Sequence, residues 1–231
     1  MGLFKDLNAV AIDGPAGSGK STVSRLVAEK LGYLYIDTGA MYRALTFKAM
    51  KKNIDLNDET ALIDLSSGVD LALLASSDRQ RTIRVMLDGE DVSDVIRTME
   101  VTRNVKYVAK IGGVREHLVR LQRKMAKSSA GAVMEGRDIG TVVLPDARYK
   151  FYVDASFDER VRRRLAELHA KGSMVVRKEV EDDLKQRDHS DKTREVGPLK
   201  MAEDAVFIDT TELSIQDVVA RIIDHVKKDK E

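Results

Sequence analysis

Gly14-Pro15-Ala16-Gly17-Ser18-Gly19-Lys20-Ser21 is the stretch from which the rest of this chain can be read. It fits G-x-x-x-x-G-K-[ST] at every fixed position. Before it, Ala9-Val10-Ala11-Ile12-Asp13 reads as a buried strand. After it, residues 21–31 read as a helix with Val23, Leu26, Val27 and Leu31 on one face. Strand, glycine loop and helix in that order make a cradle for phosphate. The glycines let backbone N–H groups close around phosphate oxygens, and the helix N-terminus adds partial positive charge. Lys20 is placed to reach the β- and γ-phosphates of a nucleoside triphosphate, and the Ser21 hydroxyl to hold Mg²⁺. A plain turn would require neither the Lys nor the Ser.

Outward from this loop, strands and helices alternate. Tyr33-Leu34-Tyr35-Ile36 is a second strand ending in Asp37-Thr38-Gly39-Ala40, and a helix with Met41, Leu45, Ala49 and Met50 follows. Asn57-Asp58-Glu59 opens another helix through Leu65, capped by Gly68. From 69 to 97 the texture changes. Val69-Asp70-Leu71-Ala72-Leu73 alternates, Thr82-Ile83-Arg84-Val85-Met86-Leu87 is strand-like, and Asp88-Gly89 marks a hairpin turn. Val92-Ser93-Asp94-Val95-Ile96 reads as a third short strand or a turn. This antiparallel unit reads as an insertion. Helical character resumes over 100–128 with a break near Gly112-Gly113. Ala132-Val133-Met134, Tyr149-Lys150-Phe151-Tyr152-Val153 and Ala205-Val206-Phe207-Ile208-Asp209 read as strands, and 156–171 and 175–187 as helices. Ser214 caps a final helix through Val226, frayed by Lys227-Lys228-Asp229-Lys230. The alternation predicts an α/β fold, a parallel sheet with helices on both faces, and ligands at the C-terminal ends of the strands.

With 231 residues and 43% hydrophobic composition, the chain can bury a real core. Its formal net charge of +1 argues against a general nucleic-acid or membrane-surface binder. The absence of cysteine excludes disulfides and cysteine-ligated zinc, and the four His are scattered without metal-ligand spacing. Met1-Gly2 alone hints at myristoylation, but Asp6 stands where Ser or Thr is wanted. No signal-peptide stretch or apolar span is seen, so a cytoplasmic protein is expected, with no membrane or nucleic-acid partner. Balanced charge makes a monomer the expected state.

A phosphate loop alone does not separate switch, motor and kinase. Thr38 can bond a phosphate from a helix start. Arg43, early in the same helix, is poorly placed for the macrodipole, which suits a bound anion. The alternative is a capping Thr and a surface Arg. Glu135-Gly136-Arg137-Asp138 packs an Arg and an Asp at a strand end, with a salt-bridged turn as the plainer reading. Arg160, Arg162, Arg163 and Arg164 crowd one helix start, while Arg187, Asp191 and Arg194 crowd the end of another. Arginines four apart repel unless an anion lies between them, and their forks suit phosphate. Glu179, Asp182 and Asp183 are interleaved, so a solvated charged face is the alternative there.

Together these stretches resemble the bacterial cytidylate kinase family. The matching runs begin with Ala11-Ile12-Asp13-Gly14 through Ser21-Thr22 and with Asp37-Thr38-Gly39-Ala40-Met41-Tyr42-Arg43. They continue through Asp88-Gly89-Glu90-Asp91-Val92-Ser93, Ile96-Arg97, Val114-Arg115 and Gly136-Arg137-Asp138-Ile139-Gly140-Thr141. The last are Pro145-Asp146-Ala147, Asp154-Ala155-Ser156, Glu159-Arg160, Arg187-Asp188 with Asp191 and Arg194, and Pro198-Leu199. They run in order from about residue 9 to 225, and the ordered set is more specific than any member except the loop.

The resemblance implies a single kinase unit, with a P-loop core at about 1–40, 98–158 and 195–231. It also implies a monophosphate-binding part with the antiparallel insert at about 41–97 and a helical lid at about 159–194. The implied reaction passes a phosphoryl group from ATP, with Mg²⁺ held at Ser21, to CMP or dCMP. Gly14, Pro15, Ala16, Gly17, Ser18, Gly19, Lys20, Ser21 and Thr22 match the ATP loop. Thr38, Arg43 and Arg137 match contacts to the acceptor phosphate, and Arg115 and Asp138 match contacts to the cytosine edge. Arg187, Asp191 and Arg194 match residues around ribose and phosphates. Arg160 and one of Arg163 or Arg164 resemble lid arginines over the transferred group. Lys20, Arg137, Arg160, Arg163 and Arg187 form the implied catalytic set. Two departures stand out: Glu135 where the family often has Asp, and Lys106 where it commonly has a Ser touching the base. Lys106 can still donate to the cytosine carbonyl oxygen; in a shifted helix register Thr102 would take that place. The rivals are a P-loop kinase of another small acceptor, UMP or shikimate-like, and a nucleotide-dependent switch. The Arg115 and Asp138 pair favours cytidylate, and no N-K-x-D motif supports a GTPase switch.

Overall fold

Ala9–Asp13 (β1) is a continuous apolar run closed by an acid, and its first four residues have no exposed surface at all. Successive strand residues point to opposite faces, so a strand buried throughout must be covered on both. A computed structural model describes residues 7–75, 83–170 and 172–228 and places β1 at the centre of a parallel sheet. The expectations for Met1 to Asp6, Thr82, Lys171 and Asp229-Lys230 fall outside the described residues.

From β1 the chain passes through the glycine loop into Lys20–Leu31 (α1), then Leu34–Asp37 (β2) and Thr38–Lys51 (α2). The Asp37 carboxylate accepts from the Ala40 N–H at 2.8 Å, so the cap of α2 is Asp37 and not Thr38. Glu59–Ser67 (α3) is capped by Asp58. The insert follows as an antiparallel sheet of Leu71–Ala75 (β3), Ile83–Leu87 (β4) and Glu90–Asp91 (β5), with Asp88-Gly89 as the hairpin turn. Its third strand therefore precedes the 92–96 stretch. That stretch instead turns into a short 3-10 helix, Val95–Arg97, because Val92 and Ile96 bury themselves under the insert.

Met99–Ala109 (α4) and Gly112–Lys127 (α5) follow, and the break falls at Lys110-Ile111, with the glycines opening the second helix. Ala132–Gly136 (β6) leads into a π-helical turn, Ile139–Val143, and then Tyr149–Asp154 (β7). Phe157–Ala170 (α6) and Arg177–Thr193 (α7) pack on each other. The second runs well past Arg187, the end expected from the sequence. Arg177–Glu181 and Lys178–Asp182 pairs support its start, and no breaker occurs before Gly197-Pro198. Val206–Asp209 (β8) and Ile215–Lys228 (α8) complete the chain.

The sheet order β2-β6-β1-β7-β8 places β1 between β6 and β7, both parallel to it. Asp13 lies in register with Gly136 and with Tyr152, so the loops that leave these strands share one edge. The main core spans the sheet, α1, α8 and the insert. A second cluster joins α2 through α5, and a third joins Val161, Leu168, Val180 and Leu184 of α6 and α7 to Ala16 of the glycine loop. The helix pair α6–α7 is thus seated directly on the loop.

Candidate active site

Gly14 passes so close to β7 that a Cβ there would lie 2.0 Å from the Val153 carbonyl oxygen, at a φ of 156°. Only glycine lets the loop turn there. Lys20 is buried and donates to the Pro15 carbonyl at 2.8 Å. Burial, then the nearby Arg137 and Arg187 cations, bring its ammonium down to about 7, against the pull of Glu135 and Asp191. The two groups that lower it most after burial come from separate places, the residue just after β6 and the helix α7. Lys20, Arg137 and Arg187 therefore converge on one place.

Glu135 sits at the end of β6 with almost no exposure. The Ser21 hydroxyl donates to its Oε2 at 2.8 Å, and the Tyr35 hydroxyl donates to Oε1. Burial and then the Asp37 charge push its carboxyl up, opposed by Lys20 and these hydroxyls. Thr38 donates its hydroxyl to the Glu135 carbonyl at 2.7 Å. The pairing of Ser21 with an acid at the end of the neighbouring strand is the arrangement in which P-loop proteins hold Mg²⁺. The oxygen-only donors suit that hard cation. Among the described residues no group of three or more His, Asp and Glu comes together elsewhere as a metal cage.

The expected phosphate arginines, Arg187 excepted, are placed beside carboxylates. Arg43 lies 3.1 Å from Asp37 Oδ2, and Arg97 reaches the same oxygen at 3.6 Å from the insert. Burial pushes the Asp37 carboxyl up, but Arg43 and Arg97 outweigh it and hold the carboxyl below its usual range. Arg137 donates from Nε to Asp191 at 2.6 Å. Arg187 makes no hydrogen bond among the described residues. Burial, with Arg137 next, brings its guanidinium down to about 10. Arg164 adds to that push, and its own Nε is buried without a partner while NH1 holds Glu167 at 2.8 Å.

A second cluster adjoins the first. Arg115 donates to Asp138 Oδ2 and, at 3.1 Å, to the Ala109 carbonyl. Arg194 donates to Asp138 Oδ1 at 3.4 Å and to the Gly197 carbonyl at 2.5 Å. Both Asp138 oxygens are thus oriented by arginines from other elements. Gly197, at a φ of 60°, backs the pair so closely that a Cβ would meet Asp138 Oδ2 at 2.2 Å.

The arginines of α6 divide. Arg160 is buried beneath the loop, donating to the Ala16 carbonyl at 3.1 Å and to Asp188 at 2.7 Å. Arg163 donates to Glu159 at 2.7 Å, to the Ser18 carbonyl at 3.2 Å and to Thr210 at 2.6 Å. Arg162 is exposed and forks onto Glu159. Beside the loop opens a cavity of about 820 Å³ lined by Gly19, Ser21, Arg163, Arg164, Thr210 and Leu213, among others. Lys106 on α4 makes no hydrogen bond to the Asp138 cluster. Its ammonium lies 5.1 Å from the Tyr107 ring centroid.

Sequence reading did not single out Tyr35, Gly197 or Thr210, named Asp188 only within a run shared with the family, and took Glu135 only as a strand end and a family departure. An acid closing an apolar strand was the available signal for Glu135, and the Gly-Pro pair marked the turn at 197.

A parallel sheet with a phosphate loop on its central strand, facing a ring of arginines, defines a P-loop phosphotransferase. The cytidylate kinase family model matches residues 10–228, and the chain belongs to that family. It is 53% identical over 221 residues to the cytidylate kinase of Desulforamulus reducens, covering 96% of this chain and 97% of that one. It is 46% identical over 220 residues to that of Bacillus subtilis, covering 95% and 96%. A solved structure of an uncharacterized protein from Eubacterium ventriosum shares the fold, with a TM-score of 0.51 at 13% identity, covering 95% of this chain and 98% of that one.

Proposed function

We propose that this chain transfers the terminal phosphoryl group of ATP to CMP and dCMP, giving ADP with CDP or dCDP. The convergence of Lys20, Arg137 and Arg187 between the glycine loop and the Arg115–Asp138–Arg194 cluster carries this reading. A phosphoryl group in flight spreads negative charge over its oxygens, and positioned cations lower the barrier. In this reading Gly14 to Thr22 cradle the donor phosphates, and adenine enters the cavity beside Arg163 and Thr210. Arg43, Arg97 and Arg137 turn from their carboxylates onto the acceptor phosphate, with Thr38 beside them. Asp191 and Arg194 reach the ribose side. Asp138 accepts from the cytosine amine and Arg115 donates to the N3 or carbonyl edge.

The acceptor phosphate oxygen is an adequate nucleophile, so no general base is assigned. Mg²⁺ carried with ATP, against Ser21 and Glu135, would neutralise the β- and γ-oxygens. Residues 159–194 act as a lid. Arg160 anchors it to the loop, whereas Arg164 and Arg187 face the moving group. The lid excludes water and so limits idle ATP hydrolysis. The enzyme works as a monomer in the cytoplasm. Among the described residues no helix is long and apolar enough to cross a membrane.

A coupled ADP-release assay with ATP and Mg²⁺ against AMP, GMP, UMP, CMP, dCMP and shikimate tests the reading. Fast turnover with CMP and dCMP alone supports it. Equal turnover with UMP refutes the base assignment, and no acceptor-dependent turnover refutes the kinase.

A further inference from the structure

The π-helical turn Ile139–Val143 directly follows Arg137 and Asp138, and Asp138 stands at its N-cap. An Asp in that position ordinarily turns back to accept from the first free N–H groups of its own turn. Here it does not. Those N–H groups donate across the sheet to Asp13: Ile139 to Oδ1 and Gly140 to Oδ2, each at 2.8 Å. Asp13 is only 4% exposed and sits in register with Gly136, one residue before Arg137. Both Asp138 oxygens are left to Arg115 and Arg194.

We propose that Asp13 is a positioning residue for base selection: by capping the turn in place of Asp138, it releases the Asp138 carboxylate toward the acceptor base. The proposal rests on the cytidylate reading of the site. A carboxylate is the side chain that suits this post, because it can accept from two adjacent N–H groups at once. An amide offers one acceptor and sets an NH₂ against the other N–H. Asp13→Asn therefore leaves one amide of the turn without a partner, and Asp138, which stands at the N-cap of that turn, swings back from its arginines to cap it. The base edge then loses its acceptor while the glycine loop keeps its backbone.

The test compares kcat and KM for CMP and for UMP, at saturating ATP, in the wild type, Asp13→Asn, Asp138→Asn and the double variant. The proposal expects Asp13→Asn to raise KM for CMP and to cut the CMP-to-UMP ratio of kcat/KM by about tenfold or more. It also expects Asp13→Asn to add little to the ratio already lost in Asp138→Asn, since both changes act through one group. A merely structural Asp13 would lower Tm and kcat for both acceptors together, leaving the ratio where it was, and that result overturns the proposal. An additive loss in the double variant overturns it too. Should Asp13→Asn fail to fold, Asp13→Ser, whose hydroxyl can accept from one of the two N–H groups, carries the same comparison. A wild type without CMP selectivity would instead refute the cytidylate reading, whereas a selective wild type and an equally selective Asp13→Asn would refute only the role of Asp13.

Discussion

Arg137 and Asp191 meet at 2.6 Å, Nε to Oδ2, and so join the end of β6 to the helix α7 that lies across the glycine loop. Burial alone would weaken the Arg137 cation and raise the Asp191 carboxyl, yet each is held in its charged form chiefly by the other. Arg137→Lys keeps a charge but loses the planar fork that can hold Asp191 and a phosphate together. Its kcat should fall by about 10²–10³-fold, with KM for ATP nearly unchanged. Asp191→Ala leaves Arg137 without its carboxylate, while Arg194 keeps Asp138, and denaturant unfolding should show a loss of about 3 kcal/mol at most.

Replacing Asp138 with Asn tests the base edge itself. The Asn still reaches Arg115 and Arg194 but presents an amide where the cytosine amine needs an acceptor. The CMP-to-UMP ratio of kcat/KM should fall by on the order of 10² or more. Gly197→Ala should lower the same ratio without touching either side chain chemically, because its methyl would displace Asp138. Unchanged selectivity in both variants would remove Asp138 from the base site.

Lys20 predicts a proton uptake. In the nucleotide-free enzyme its ammonium titrates at about 7. At about pH 8 it has therefore largely lost its proton, whereas arriving phosphates favour the charged form and bring the proton back. Calorimetry of ATP binding in buffers of different ionisation enthalpy should report uptake approaching one proton at about pH 8 and little at about pH 6. Lys20→Arg, charged throughout, should show none at either pH.

Tyr35→Phe removes one of the two hydroxyls that donate to Glu135. The acid then keeps its burial but loses a donor that favours its charged form, so its carboxyl should rise further. Stability should drop by about 1–3 kcal/mol. The Mg²⁺ concentration needed for half-maximal turnover should rise, and a Mn²⁺ titration followed by paramagnetic resonance, with ATP present, should show weaker binding. Unaltered Mn²⁺ affinity would detach Tyr35 and Glu135 from the metal.

What could be read in advance was local. The run from β1 through the loop into α1 announces itself through periodicity and glycine spacing, and the Asp88-Gly89 hairpin through its turn residues. The end of α7 was misplaced because its last turns are almost wholly polar, and amphipathic pattern fades where charged pairs hold a helix instead. The contacts of Glu135 and Asp13 were invisible for a different reason. Ser21 and Glu135 are 114 positions apart, and Asp13 and Ile139 are 126 apart. Only the pairing of β1 with β6 brings them together, and no local pattern encodes that register. The Arg115–Asp138 and Arg137–Asp191 pairs likewise unite separate elements, although their members were each legible as candidates.

The pairing of nearly every site arginine with a carboxylate has a consequence for how substrate is captured. Arg43, Arg115, Arg137 and Arg194 each lie against one of three carboxylates, Arg115 and Arg194 sharing Asp138, so much of the positive charge of the acceptor site is offset before substrate arrives. An incoming monophosphate is not drawn from afar but wins an exchange of partners at contact distance, where shape and hydrogen-bond direction decide. Its rate of capture should accordingly depend less on ionic strength than at sites that steer anions with a wholly unpaired basic cleft.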